Sequence, residues 1–507
     1  MHITKGPTKE VNVTINGSTL EQTKSATILG RVINSSLTAK AHYQKVIESS
    51  SNNLKLFKYI TNIKSGLHPQ KALNIYKAMV RSKIEYCSTT LANSANASFH
   101  SIQVLQNKIL RRCLGLTPST PIPLIYALAN ELLPNERTLW LVAKEVVKLI
   151  AFNNPIADTI KSNSHLNTSY AIAYNTFSNV MDDIDAVHPN LPISNLVIFE
   201  KTTNTKKSNM TKEEIIVQHS SMLAEYRSTS FKVIYTDSSV GEEKTGCGIY
   251  LLNTDTEHSF HISFKSSSAF GELLAIEEAI DIAIRNNYSS VVIFTDSQIA
   301  CQTLKRHTST NSIAAKIFNK ISNHNFNNVH VRWIPSHKNI FGNEKADALA
   351  KSAIINSSCK TVKLTIDEAC KRIKNYIYDQ SFQNFLNYSN TNQNLYATIF
   401  PSRRNFAWFK NFKFNPKDIK TLNRILTGHT YDKKYLVKIK ATNSSLCRCG
   451  DTDCYVHQTF QCPLLNNIRV TFNVFNEAHN FKEVFKDKNN AKITQLVKFF
   501  QKADLKF

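Results

Sequence analysis

Four acidic residues, Asp237, Glu272, Asp296 and Asp347, stand in the settings VIYTDSS, FGELLAI, VVIFTDSQ and NEKADALAK. Four carboxylates gathered in one place repel one another unless a hard cation such as Mg²⁺ neutralises them. Convergence of this set would therefore mean metal-assisted chemistry on phosphate. Taken singly, each acid is as well explained as a solvent-facing or capping carboxylate. A second group reads Cys447-x-Cys449-x₇-His457-x₄-Cys462, with Cys454 as a spare thiol. Three thiolates and an imidazole are suitable tetrahedral ligands for a structural Zn²⁺, and Gly450 permits the tight knuckle that the Cys-x-Cys spacing requires. Unligated cysteines are the competing reading.

The acids can meet only if strands and helices carry them to one end of a sheet. From Phe231 to about Ala353, FKVIYTD, GCGIYLL and SFHISF are β-rich runs in succession. The helix AFGELLAIEEAIDIAIRN follows, with Leu273, Ile276, Ile280 and Ile284 on one stripe. Strand VVIFTD, helical runs from Ser297 to Asn323, strand VHVRWIP and helix GNEKADALAKSA complete the stretch. The near-continuous apolar runs Val233–Tyr235 and Val291–Phe294 suit strands covered on both faces. The pattern predicts an α/β layout: an antiparallel three-strand start, then parallel strands joined by helical crossovers. Asp237 and Asp296 are expected at strand ends, where such sheets bind ligands, Glu272 in the first turn of its helix, and Asp347 within the first turns of the last one.

The formal charge of +24 over 507 residues points to a polyanionic partner, with nucleic acid ahead of an acidic membrane surface. The opening MHITKGPTKE has no apolar core of a signal segment, and the strongest apolar stretch, TLWLVAKEVVKLIAF, is interrupted by Lys144, Glu145 and Lys148. No membrane association is expected. Ten cysteines are too sparse and uneven for a secreted disulfide scaffold, which favours an intracellular protein, in nucleus or cytoplasm.

Residues 1–152 carry helical patterns, among them HPQKALNIYKAMVRSKIEYC, an amphipathic helix with Lys77 and Arg81 on its polar face. Lys108, Arg111 and Arg112 form either a solvated basic face or a contact to a nucleic-acid backbone. Residues 153–230 turn rich in Asn, Ser, Thr, Asp and Lys and read as a linker, KTTNTKKSNMTKEE above all. Residues 231–355 are the α/β domain, 356–440 a helical basic region, 441–466 the Cys/His segment and 467–507 a tail.

The blocks YTDSS, GCGIY, GELLAI, FTDSQ and WIPSHKNIFGNEKADALAKSA, in this order and spacing, resemble a ribonuclease H domain. The resemblance implies an RNase H-like fold, a mixed five-stranded sheet with flanking helices, beside mainly helical flanking regions. It also implies a two-metal mechanism with Mg²⁺, for which Mn²⁺ can substitute. Asp237 would bridge both ions, Glu272 and Asp296 would hold the ion beside the leaving 3′ oxygen, and Asp347 would help hold the ion that activates water. His337 matches the family's mobile histidine that aids product release. Asn343 and Glu344 match a block more structural than catalytic, and Gln298 matches a position that touches the hybrid's minor groove. Ser238 departs from the Gly or Ala common after the first aspartate. No basic protrusion is expected between Asp296 and Trp333, which leaves the grip on substrate to the basic flanks.

Before this domain, ATILGRVINSS, ALNIYKAMVRSKIEYC, LQNKILRRCLGLTPSTP and LANELLPNER resemble the part of a non-LTR retrotransposon reverse transcriptase that follows the catalytic palm, its thumb or connection. No Y-x-D-D turn occurs there, so no polymerase activity is expected. The C-terminal Cys/His segment, preceded by RILTGHTYDKKYLVKI, resembles the tail after RNase H in jockey-like and I-like retroelements. The expected function is Mg²⁺-dependent endonucleolytic cleavage of the RNA strand of RNA–DNA hybrids, leaving 5′-phosphate and 3′-hydroxyl ends. The alternatives are a non-catalytic nucleic-acid-binding protein and an inert remnant of a truncated element. The sequence names no protein partner.

Overall fold

The computed structural model describes residues 12–35, 38–62, 66–89, 96–187, 195–199, 211–306, 310–486, 490–505 and 507. The opening MHITKGPTKE and the KTTNTKKSNM portion of the expected linker lie outside the described residues. The chain forms two compact units, Ala143–Lys374 and a sequence-discontinuous one made of Met1–Val142 with Asn375–Phe507.

Ala143–Lys374 is built on a mixed sheet. Its strands are β1 (Leu196–Phe199), β2 (Lys232–Val240), β3 (Thr245–Leu251), β4 (Thr256–Ile262), β5 (Ser290–Thr295), β6 (Asn328–Trp333) and β7 (Ser358–Cys359). They lie in the order β7-β4-β3-β2-β5-β6-β1. The β2–β3–β4 meander is antiparallel, and β5, β6 and β1 run parallel to β2, as the order of runs in the sequence requires. The five expected strands form the middle of the sheet. The count is corrected to seven by β1 and the two-residue β7, one at each edge, neither long enough to show an alternating pattern.

Helices α1 (Lys212–Ser228), α2 (Ser268–Arg285), α3 (Gln298–Lys305), α4 (Ser312–Ser322) and α5 (Phe341–Asn356) cover it. Side chains alternate across β2 and β5: Ile234, Val291 and Ile293 join α2 and α4 in one core, while Val233, Tyr235, Val292 and Phe294 join α1 and α5 in the other. Burial on both faces explains why these strands read as continuous apolar runs.

The expectation of a linker over 153–230 needs correction. Besides β1, its described residues hold helices Pro155–Ser162, Ser169–Thr176, Ser178–Met181 and α1. Thr211 and Glu214 form a capping box that starts α1: the Thr211 hydroxyl accepts from Glu214 N at 3.2 Å, and Thr211 N donates to Glu214 Oε2 at 2.8 Å. Its buried positions are Ile215, His219, Met222 and Tyr226, and two of the four are polar enough to hide the stripe.

In the discontinuous unit, helices Lys40–Ile60, Pro69–Tyr76 and Asn96–Leu114 share a core with Trp408, Phe409, Leu422, Ile425, Phe499 and Phe507. Lys420, on helix Pro416–Thr427, donates to the carbonyls of Thr61 (2.8 Å) and Asn62 (3.0 Å). Asn423 donates to Leu114 O and Arg424 to Gly115 O and Phe507 O. Gly115 sits at φ +72°, and a side chain there would collide with Lys420. The polar face expected around Lys77 and Arg81 is not simply solvated, because both pair with buried Glu131 at 2.7 and 2.8 Å. Arg111 donates to Thr120 O, so that basic residue serves the fold.

Candidate active site and cysteine–histidine cluster

Glycines decide how close the elements bearing the acids can come. Asp237 is inside β2 rather than at its end, and pairs in register with Gly248 of β3. A Cβ on Gly248 would run into the Ala346 carbonyl, and one on Gly246 into the Ala350 carbonyl, so the backbone of α5 rests directly on β3. That approach carries Asp347 to the sheet. Gly271 plays the same part for α2, since a Cβ there would press on Ser238, and the next residue is Glu272. Glu272 is therefore one turn into its helix, later than the expected first turn. Asp296 directly follows β5, and its carbonyl accepts from Trp333 Nε1 at 2.9 Å.

Asp237, Glu272 and Asp296 each offer a carboxylate oxygen to a group no more than 4.8 Å across. Asp347 joins a second group of the same size with Glu344 and His337, yet its charge still acts on Asp237. The two groups thus adjoin, with Asp347 between the buried acids and exposed His337. His337 occupies a loop position at φ +54°. Gln298, exposed at the start of α3, belongs to neither group. Asn343 is buried, with its N–H on Ile340 O, in keeping with a structural part.

Two contributions are not legible in the motifs. Glu344 stands with Asp347 and His337, three residues before Asp347 on α5 and so on the same face of that helix. Ser238 donates its backbone N–H to Asp237 Oδ1 (2.6 Å) and Glu272 Oε1 (3.1 Å), and its hydroxyl to Glu272 Oε1 (2.9 Å). The departure at Ser238 thus adds a hydrogen bond to an acid, and Gly271 makes the room for it.

The acids act on one another's protonation. Burial, then the Asp296 charge, push the Asp237 carboxyl up to about 7, with Asp347 adding to the shift and the Ser238 N–H opposing it. Burial, then Asp237 and Asp296, hold Glu272 well above the carboxylate range. Lys351 pairs with Asp347 at 2.6 Å, whereas the partners of Glu272 are the Ser238 N–H and the hydroxyls of Ser238 and Thr295. A set of converging carboxylate oxygens that raise one another's pKa fits a hard divalent ion.

The second cluster also assembles. Cys447, Cys449, His457 and Cys462 present ligand atoms within 4.8 Å of one another. Cys447 Sγ and Cys462 Sγ are 3.8 Å apart, the edge of a tetrahedron whose arms are the ~2.3 Å of a zinc–thiolate bond. Cys449 Sγ lies 3.1 Å from His457 Nε2. Gly450 takes φ +99°, and Cys447 N donates to Asp451 O, closing the knuckle. Cys454 stands outside the group and accepts the His457 N–H at 3.4 Å. The donor set and spacing suit a metal ion of zinc's coordination.

Residues 229–355 match the RNase H family model. The chain is similar to an RNA-directed DNA polymerase from the mobile element jockey of Drosophila funebris, 29% identical over 103 residues. That match covers 20% of this chain and 11% of the length of that protein. A solved structure, RNase H1 from the halophilic archaeon Halobacterium salinarum NRC-1, is 20% identical with a TM-score of 0.22, covering 25% of this chain and 98% of its own. Residues 229–355 are an RNase H domain. Among the described residues, no helix is long and apolar enough to cross a membrane.

Proposed function

We propose that the RNase H domain of residues 229–355 hydrolyses the RNA strand of RNA–DNA hybrids endonucleolytically, with Asp237, Glu272, Asp296 and Asp347 as ligands for Mg²⁺. The observation that carries this is the convergence of three buried or half-buried carboxylates within 4.8 Å, under the field of a fourth. Bound divalent ions supply Lewis-acid stabilisation of the attacking and leaving oxygens. The chain's own part is to hold these oxygens rigid. Asp237 is fixed by the β2–β3 pairing, Glu272 by Ser238 and Thr295, and Asp347 by α5 against the glycines of β3. His337, exposed beside Asp347, would help product leave. Gln298 is placed to reach the minor groove, where the 2′-hydroxyl distinguishes RNA from DNA.

We further read the cysteine–histidine cluster as a structural zinc site, residues 1–152 as a thumb or connection remnant without polymerase activity, and the basic flanks as the grip on the hybrid. The test is incubation with labelled hybrid, duplex DNA and duplex RNA, with Mg²⁺ or without divalent ions. Internal cuts in the RNA of the hybrid alone, dependent on the ion, are expected. Cleavage that persists in both Asp237→Asn and Asp296→Asn would overturn the assignment. Salt-dependent binding without turnover in the unmodified protein would instead favour a nucleic-acid-binding role.

A further inference from the structure

Outside the acids and the zinc-type cluster, the discontinuous unit holds a cavity of about 120 Å³. Helix Ile122–Ala129 and residues 378–385 form much of its wall. Its lining is aromatic, with Tyr126, Tyr378, Phe382 and Phe406 among the side chains, and it carries polar atoms whose hydrogen-bonding capacity is unused. The Tyr126 hydroxyl is buried without a partner, in a residue only 4% exposed, and Arg404 Nε is a buried donor likewise without one. Glu136, whose Oε2 accepts from Leu133 N (3.0 Å) and Ser381 Oγ (2.9 Å), also lines the wall. Buried polar groups left unsatisfied are costly, and a cavity lined by them is a place where a ligand recovers that cost.

We infer that this cavity binds the ring of a single pyrimidine nucleotide. An apolar cavity of about 150 Å³ accommodates benzene, so the space is that of one six-membered ring and too small for a fused purine pair of rings. Aromatic walls suit a flat π-face, and stacking of a base on such side chains contributes about 1–3 kcal/mol. The free groups are a donor (Arg404 Nε) and a hydroxyl that can donate or accept (Tyr126). The edge of cytosine sets one donor, N4, beside two acceptors, N3 and O2, and a donor and a hydroxyl can meet those acceptors. A chain of charge +24 meets such rings chiefly on nucleic acid. The inference is independent of the hydrolytic reading, because none of these residues belongs to the acidic site.

The experiment is a calorimetric titration of the full chain with CMP and with AMP in buffer free of divalent ions, where hydrolysis plays no part. Saturable one-site binding of CMP is expected, with AMP at least tenfold weaker. Tyr126→Phe should weaken CMP about fivefold, the worth of one hydrogen bond. Arg404→Gln, at a less buried position, should do the same and serves if Tyr126→Phe fails to fold. Absence of saturable CMP binding, equal binding of AMP, or affinity unchanged in the folded variants would overturn the inference. Competition by an oligonucleotide with one unpaired cytidine, but not by its fully paired counterpart, identifies a base of a strand as the occupant. Binding of CMP without that competition identifies the free nucleotide.

Discussion

Asp237 gives the acidic site its most direct physical signature. Its carboxyl is raised to about 7 in the folded, metal-free chain, against about 3.9 when unfolded. Between those values the folded state binds the extra proton, so stability falls as pH rises from about 4 to about 7 and is level above that. Relative to Asp237→Asn, which shares every other titrating group, the unmodified metal-free protein should therefore gain stability between pH 8 and pH 5. Asp237→Asn should flatten that slope and stabilise the metal-free protein at pH 8 by roughly 2 kcal/mol, while Mg²⁺ should raise the melting temperature of the unmodified protein more at pH 8 than at pH 5. A melting temperature lowered at pH 8 by Asp237→Asn would contradict this account. Ser238→Ala tests the hydroxyl on Glu272: the Mg²⁺ concentration for half-maximal cleavage should rise about fivefold with little change in melting temperature. The neighbourhood of Asp237, Glu272 and Asp296 was legible because each sits on or just after a strand, or on a helix, in a recognisable block. The contacts of Ser238 and the company of Glu344 were not, since both depend on how closely α2 and α5 settle on the sheet.

At the scale of elements, what brings the acids together is the bareness of β3. Gly246 and Gly248 let the backbone of α5 lie on the strand, and the next methyl group in that contact has nowhere to go. Gly248→Ala should cost about 2 kcal/mol or more through overpacking, read in a denaturant melt, and should lower cleavage more than tenfold by displacing Asp347. Full activity in a Gly248→Ala protein would mean that α5 does not position the acid. The string GCGIY was readable as a strand, but its glycines mattered for what rests upon them, which a one-dimensional pattern does not state. The same limit explains the edge strands. Leu196–Phe199 and Ser358–Cys359 are too short to carry periodicity and exist because β6 and β4 offer them unpaired backbone.

The molecule as a whole joins residues that the sequence keeps far apart. Short-range patterns correctly marked helices in residues 1–152 and beyond 356, but nothing local declares that Lys420 caps the carbonyls of Thr61 and Asn62. The cysteine–histidine cluster lies in this discontinuous unit, and its four ligands should act as one. Cys449→Ser and His457→Ala should each lose the bound zinc, measured by elemental mass spectrometry, and should make the segment around residues 447–462 more susceptible to proteolysis. Stoichiometric zinc retained by both variants would exclude the tetrahedral set.

The bond from Lys420 to Thr61 spans 359 positions of chain. At the ~5–20 residues per second of translation, a ribosome needs roughly 20–70 s to travel between them. By its end every strand of the central sheet has been synthesised, while Tyr43, Phe57 and Tyr76, made near its start, still lack Leu422 and Phe499. The unit Ala143–Lys374 can thus be complete before the core that Tyr43, Phe57 and Tyr76 share with Leu422 and Phe499 is able to close.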